Sequence, residues 1–558
     1  MSRLKNRAII TRDLACIAGA FCLMLLFAFA GGLRAHAAAR TAQITSCLIN
    51  GTQVEMAVNC SVVPASDDGF FYIYADEVYE DGPTGQVVAK VPAAASAGFS
   101  FPLNLNMPDS NLSRKFIVAV RQGGTMVQVS DEHYITNPEA VALHTQFRMD
   151  HGIKGLLPDP SRFDTGEIQD LGIQQVGYNI YLGDIVGEST DPRLNTIYYT
   201  YDGHTYAFNP VYMHGYDRIV RYFTDNGIQI TMNILNNRTA AGADLIHPLS
   251  RDAHVCPGYA FNTADAQGTE HLKAIASFLA RRYSGTMEMD WQQGVMQGQV
   301  DNWVVGNEVN ARTEWYYMSS DNLDLNVNSY VKAFRVFYNG IKSENAFARV
   351  YNSIDQEWRR KSNPGCFLSS DYLELFNYYM LREGNIDWGL SMHPYNAPLY
   401  DPYAWCGYSA LVNADYSTPY ITMQNFHLIT DLLALPEYLN PAGMVRSVIL
   451  TEIGFTSSFG QEQQAASIVY GYLKAISNPY IDGFLLFRHT DDAHEMQSNL
   501  AEGLVTLSGE HKLGYDFYRA MGTPYQDEYF RRASQIIGQD IVPLALSRIV
   551  LTRGGWYD

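Results

Sequence analysis

The sequence predicts an α/β fold, a (β/α)8 (TIM) barrel with a small N-terminal β-sandwich domain. Three observations predict it. Residues from about 40 to 135 hold short stretches of alternating apolar and polar residues set between Gly, Pro, Asn and Asp clusters. From about 142 onward, apolar runs alternate with helical stretches through eight strand–helix pairs. Strict alternation implies a parallel sheet, and eight units imply a closed one. Finally, no glycine-rich turn follows the first strand, where Gly155-Leu156-Leu157 stands. An open doubly wound sheet, the other arrangement of such units, normally carries that turn for a dinucleotide.

The N-terminal strands are read at 54–58, 69–74, 86–91, 99–105, 115–120 and 125–129. Six or seven short strands in so little chain suit two packed antiparallel sheets. The barrel strands follow at 173–182, 227–235, 300–306, 348–353, 386–393, 447–453 and 481–487, with the first and faintest inside 147–157. Helices separate them. In the one at 211–226, Tyr212, Tyr216, Ile219, Val220 and Phe223 recur at helical spacing. Others lie at 271–284, 327–343, 372–382, around 426–435, at 461–477 and near 515–521. The predicted organisation is a signal peptide at 1–37, a β-sandwich accessory domain at 40–138, a barrel at 142–525 and a C-terminal tail at 526–558.

Composition narrows the function. The 558 residues are 47% hydrophobic and 17% charged, which excludes whole-chain disorder. A formal charge of −19 with no basic stripe excludes a nucleic-acid partner. Neutral or cationic ligands suit such a surface. The 38 Tyr, 26 Phe and 7 Trp supply flat faces of the kind that sugars stack on.

At the N-terminus Arg3, Lys5, Arg7 and Arg12 precede an apolar run from Leu14 to Leu33, and Ala35-His36-Ala37 follows. Basic, apolar, small is the order of a secretory signal. The run is also long enough for an uncleaved anchor, and no later stretch would span a membrane. Export makes the compartment oxidising, and one disulfide between Cys47 and Cys60 is then expected. No CxxC pair, Walker A motif or G-x-S-x-G elbow occurs, and no cofactor is expected.

In a barrel of this kind the strand C-terminal ends face the active site. Strand four ends in Asn307-Glu308, and strand seven in Thr451-Glu452. Those strands stand across the barrel mouth from each other. Two carboxylates so placed can flank one bond, one giving a proton to a leaving oxygen and one attacking carbon. Strand six ends in His393-Pro394-Tyr395, strand two carries Asn179, and strand three ends at Asn236. Loops beyond the strands add Trp315, Tyr316 and Tyr317, then Asp355 and Trp358, then Tyr400, Tyr403 and Trp405, as rings and polar groups for a sugar.

This ordered set resembles clan A of the glycoside hydrolases, the (β/α)8 retaining glycosidases, across residues 142–525. It also resembles a secreted family of that superfamily. The resemblance implies Glu308 as acid/base, Glu452 as nucleophile and Asn307 as the contact to the sugar 2-hydroxyl. It implies His393 and Tyr395 near the nucleophile. It also implies a Trp platform at the end of strand eight, where this chain has Phe487-Arg488-His489 instead. Phe487 or His489 is expected to replace the platform. Arg488 would suit an acidic sugar or pair with a nearby carboxylate.

The expected function is therefore a retaining glycosidase, secreted or attached to the cell surface, with catalytic Glu308 and Glu452. Asn307, His393, Tyr395, Asn179, Asn236, Trp358, Phe487 and Arg488 are its expected substrate-binding residues, and no metal is expected. A carbohydrate is the expected partner. The alternatives are a non-catalytic carbohydrate-binding barrel, a cell-surface adhesion protein, and a metal-dependent hydrolase using His489 and His494.

Overall fold

The computed structural model describes residues 40–145, 147–148, 152–285 and 298–555. The expected signal peptide at 1–37 lies outside the described residues. Two antiparallel sheets follow. In the first, Gln53–Cys60 is central, flanked by Ala42–Asn50 and Ser96–Pro102. The second runs in the order Gln86–Pro92, Phe70–Asp76, Lys115–Gln122, Thr125–Gln128, with His133–Tyr134 also paired to Lys115–Gln122. Val54, Met56 and Phe99 of the first sheet and Phe71, Ile73 and Phe116 of the second share one buried core, as a sandwich requires.

The strand Ala42–Asn50 has no counterpart among the predicted segments. Its register shifts between Ile44 and Ser46, so the inward parity flips from Ala42 and Ile44 to Cys47 and Ile49. A bulge of this kind erases the period of two that marks a strand in sequence. The expected Cys47–Cys60 disulfide is absent, and both cysteines are free. Cys47 stands opposite Met56 and Cys60 opposite Ala42. At about 3.3 Å of rise per residue that offset is far beyond disulfide reach.

The barrel strands are β1 (Lys154–Leu156), β2 (Gln175–Tyr181), β3 (Gln229–Leu235), β4 (Asn302–Val305), β5 (Arg349–Asp355), β6 (Trp388–His393), β7 (Val448–Gly454) and β8 (Ile481–Phe487). All neighbours run parallel, and β8 closes onto β1 through Phe484 opposite Lys154. The helices outside it are α1 (Glu167–Asp170), α2 (Pro210–Asp225), α3 (Ala266–Arg282), α4 (Leu323–Glu344), α5 (Ser369–Arg382), α6 (His427–Leu433), α7 (Gln461–Ile476) and α8 (Leu513–Ala520). Short-range chemistry starts several of them. The side chains of Asn209, Asp265 and Asn322 accept the first free backbone N–H groups of α2, α3 and α4. Val304, Tyr351, Ile449 and Leu485 fill the barrel interior, and a much larger apolar layer joins strands to helices. The barrel is a packed core, and its chemistry belongs at the mouth.

The sandwich docks on the helical ring. Glu77 takes Arg114 at 2.8 Å and Lys273 of α3 at 2.7 Å. Asn339 of α4 donates to the Leu112 carbonyl, and Arg382 of α5 meets Asp131. The tail holds helices Gln526–Ile537 and Ile541–Leu546 against α7, then Thr552–Arg553 paired with Gly407–Tyr408. Among the described residues no helix is long and apolar enough to cross a membrane.

Candidate active site

A cavity of about 1050 Å³ opens at the C-terminal ends of the strands. Among its described lining residues none precedes Leu157, so the sandwich contributes nothing to it.

The chain leaves β4 through Gly306 at φ +82° and reaches Glu308 at φ +40°. A left-handed backbone at a side-chain-bearing residue costs about 1 kcal/mol and persists only when its surroundings impose it. Here they do. The Glu308 N–H donates to Ser353 Oγ on β5 at 3.1 Å, and the Glu308 carbonyl accepts from Ala311 N at 2.7 Å. On the far side, the β7–β8 ladder breaks register between Leu450 and Ile453, the step that holds Thr451 and Glu452.

Between these two ends lies His393, at the end of β6 and fully buried. Its Nδ1 is 2.7 Å from Glu308 Oε1 and 3.8 Å from Glu452 Oε2. Its Nε2 is 2.9 Å from Thr451 Oγ1, which in turn is 2.5 Å from Ser391 Oγ. The Tyr395 hydroxyl donates to Glu452 Oε2 at 3.2 Å. One imidazole thus faces both carboxylates.

The electrostatics follow from burial and neighbours. Burial alone would lower the His393 pKa, but Glu452 and the hydrogen bond with Glu308 overcome it and raise the group to about 8. Burial pushes Glu452 up from the ordinary carboxylate value; His393 pulls it back and Glu308 adds to the rise. Burial also raises Tyr395 well above the usual phenol value, with Glu452 adding, so its hydroxyl keeps its proton and donates. Asp355, at the end of β5, is raised well above its usual value by burial, then by Glu308 and Glu357. Like charges in a partly dry site are held apart in just this way.

The chain matches a family model described as "Family of unknown function (DUF5722)" over residues 146–543, more than half its length. It belongs to the DUF5722 family. No curated protein matches it in sequence. Among solved structures it is similar to a family 39 glycoside hydrolase from Bacteroides cellulosilyticus WH2, at 15% identity and TM-score 0.44 over 86% of this chain and 83% of that one. It is similar to beta-glucuronidase 2 of Bacteroides uniformis at 13% identity and TM-score 0.37, where 86% of this chain spans about half (50%) of the other. It is also similar to the beta-glycosidase of Thermosphaera aggregans, at 14% identity and TM-score 0.42 over 67% and 88%.

In this DUF5722 chain most of the residues singled out in sequence converge. Asn179, Asn307, Glu308, Tyr395, Glu452, Phe487 and Arg488 all line the cavity. His393 is not among the described lining residues and lies against the two glutamates. Phe487, at the end of β8, lines the cavity edge-on to Tyr395 with ring centres 6.2 Å apart. Arg488 pairs with Glu495 at 3.2 Å and Asp492 at 3.6 Å, so it is a partnered cation.

Two expectations are corrected. Asn236 is buried, and its amide donates to the carbonyls of Leu245 and Ala260. It braces the loop after β3 and does not line the cavity. Trp358 is buried, with Nε1 donating to the Tyr416 carbonyl. It packs beneath the rim loops. The His489–Glu495 heptad also splits: His489 turns to Glu167 at 3.1 Å, while His494 precedes the turn Glu495–Ser498.

Sequence reasoning missed Glu502, which lines the cavity from the loop after β8, and Tyr178 and Tyr181 of β2. The tyrosines obey the strand-end rule already applied to Asn179. No local signal marks Glu502, because only the folded loop brings it there.

Proposed function

We propose that the chain is a secreted retaining glycosidase acting on O-glycosidic bonds of an oligo- or polysaccharide. The observation that carries this reading is one buried imidazole nitrogen within reach of both strand-end carboxylates at the floor of a wide cavity. Two oxygens that reach one nitrogen at 2.7 and 3.8 Å are separated by no more than the sum of those distances. That sum is only the lower edge of the ~6.5–9.5 Å spacing of inverting pairs, and it accommodates the ~5–5.5 Å of retaining ones.

In the first step Glu308 gives its proton to the glycosidic oxygen, the C–O bond breaks, and Glu452 bonds to the anomeric carbon. His393 holds a proton beside Glu308 throughout. Burial that raises the Glu452 pKa makes its charge costly at rest, and the positive charge developing on the sugar offsets that cost in the transition state. In the second step Glu308 takes a proton from water, the hydroxide attacks the anomeric carbon, and Glu452 leaves with configuration retained. Export rests on the basic, apolar, small-residue order of residues 1–37.

The test is a panel of 2-fluoro glycosides with a good leaving group, followed by peptide mass mapping. A sugar adduct on Glu452, absent from Glu452→Gln, is the expected result. An adduct on another residue, or full turnover by both Glu308→Gln and Glu452→Gln, would sink the assignment.

A further inference from the structure

Glu502 is one of the acidic groups of the mouth that the two-carboxylate mechanism leaves idle. It is 3% exposed and lines the cavity. Its Oε1 is buried and has no hydrogen-bond partner. Two cations lie in its vicinity: Arg488 pairs with Glu495 and Asp492, and Lys512 donates to Asp491 Oδ1 at 2.6 Å, to Ser457 Oγ and to the Ala501 carbonyl. The backbone beneath makes room for the carboxyl. A Cβ built on Gly454, two residues beyond Glu452, would stand 2.6 Å from the Glu502 carboxyl carbon. So the chain keeps glycine at the end of β7, and an acid rests over it. Burial pushes the Glu502 pKa well up, and Glu495 and Glu452 add to the rise. A buried carboxyl oxygen without a partner is expensive unless a ligand completes it.

The rest of the wall has the same sign. Ten of the described lining residues are Asp or Glu, and Arg488 is the one Arg or Lys among them. That arginine is already taken by Glu495 and Asp492. A uronic or sulfated sugar would meet no free cation here, and a carboxylate field would oppose it.

We propose that Glu502 is a specificity-determining anchor for a positively charged sugar, and that the substrate is a glycoside whose ring at Glu452 bears a free amino group. This deepens the glycosidase reading and rests on it. The ammonium gives Glu502 the partner it lacks. Acetylation removes the charge and adds bulk, so the N-acetyl form is excluded along with the acidic sugars.

Titration calorimetry on the full chain carrying Glu308→Gln, which blocks turnover, tests this with short oligomers of glucosamine, galactosamine and mannosamine. The same oligomers N-acetylated, their neutral parents and glucuronate are the comparison. One amino sugar should bind at least about ten-fold tighter than its neutral and acetylated forms. The preference should fade when pH rises from about 6 to about 9 and the amine loses its proton. Adding Glu502→Gln should bring amine and parent to within about two-fold, the charge-assisted bond being gone. The pH arm stands without that variant, should Glu502→Gln fail to fold. Equal binding of neutral or acidic sugars, a preference that survives Glu502→Gln, or no binding of any sugar would overturn the proposal. Trapping at Glu452 without amine preference would leave the glycosidase reading intact and remove this one. Amine preference without trapping would keep Glu502 as an amine-binding anchor and remove both the glycosidase reading and the assignment of a substrate.

Discussion

The junction between sandwich and barrel and the barrel mouth both bury charge, in opposite ways. At the junction, burial pushes Glu77 up, but Lys273 and Arg114 more than reverse it, and its pKa falls below the ordinary value. At the mouth, Glu452, Asp355 and Glu502 all rise, because burial adds to mutual repulsion and His393 is shared between two of the acids of the site. A buried acid with its own cations is a structural joint. Buried acids without them cost stability, and under the proposed function a ligand supplies the missing charge or donor.

The largest effect that would test this contrast is at Glu452. Glu452→Gln removes the carboxylate proposed to attack and should lower kcat/KM on the order of 10⁴-fold. The same change removes an acid whose folded pKa is raised, so it should increase the unfolding temperature near neutral pH. The sign follows from linkage: a carboxylate with a raised folded pKa opposes folding above its unfolded pKa. Steady-state kinetics and thermal melts on one preparation check both. A variant that loses activity and also melts lower would break the contrast.

The reverse pattern belongs to Lys273, whose side chain is 4% exposed. Lys273→Ala leaves Glu77 with Arg114 alone and Glu270 without its partner, and should cost about 3 kcal/mol of stability. Denaturant unfolding reads that loss. Below the melting range kcat should be unchanged, because no described residue of the sandwich lines the cavity. A fall in kcat would tie the two regions together and give the sandwich a part in the chemistry.

How legible these regions were in sequence depends on where each residue sits. Glu308 and Glu452 could be read because a parallel barrel delivers strand ends to one mouth, whatever lies between them in the chain. The rule misled at Asn236, one residue past β3, where the loop returns and the amide is used up on two carbonyls. The strand Ala42–Asn50 hid behind its own bulge, and the cysteine pair failed on register, which spacing along the chain does not encode. Glu502 was invisible for a further reason. It depends on a loop after β8 folding over a glycine at the end of β7, a contact between two places that no local pattern links. Charge balance was still more remote, since it is a property of the assembled wall.

The smallest expected effect concerns the proton that the mouth holds. His393 is raised from 6.5 to about 8 by Glu452 and Glu308, against the burial that would lower it. Its protonated form is therefore favoured by the fold. The stabilisation, about 2 kcal/mol, is present in full below the unfolded pKa near 6.5 and is lost as pH rises through about 8. If that proton serves Glu308, kcat/KM should fall about ten-fold per unit above that pH, in step with the loss of stability. His393→Gln keeps a donor beside Glu308 but does not titrate, so its activity should be lower and its alkaline limb flat. Parallel pH profiles of kcat/KM and of unfolding free energy, for the two proteins, make the comparison. An alkaline limb that persists in His393→Gln would assign the proton to another group. The mouth would then differ from the junction only in its surplus of acids, without a shared proton among them.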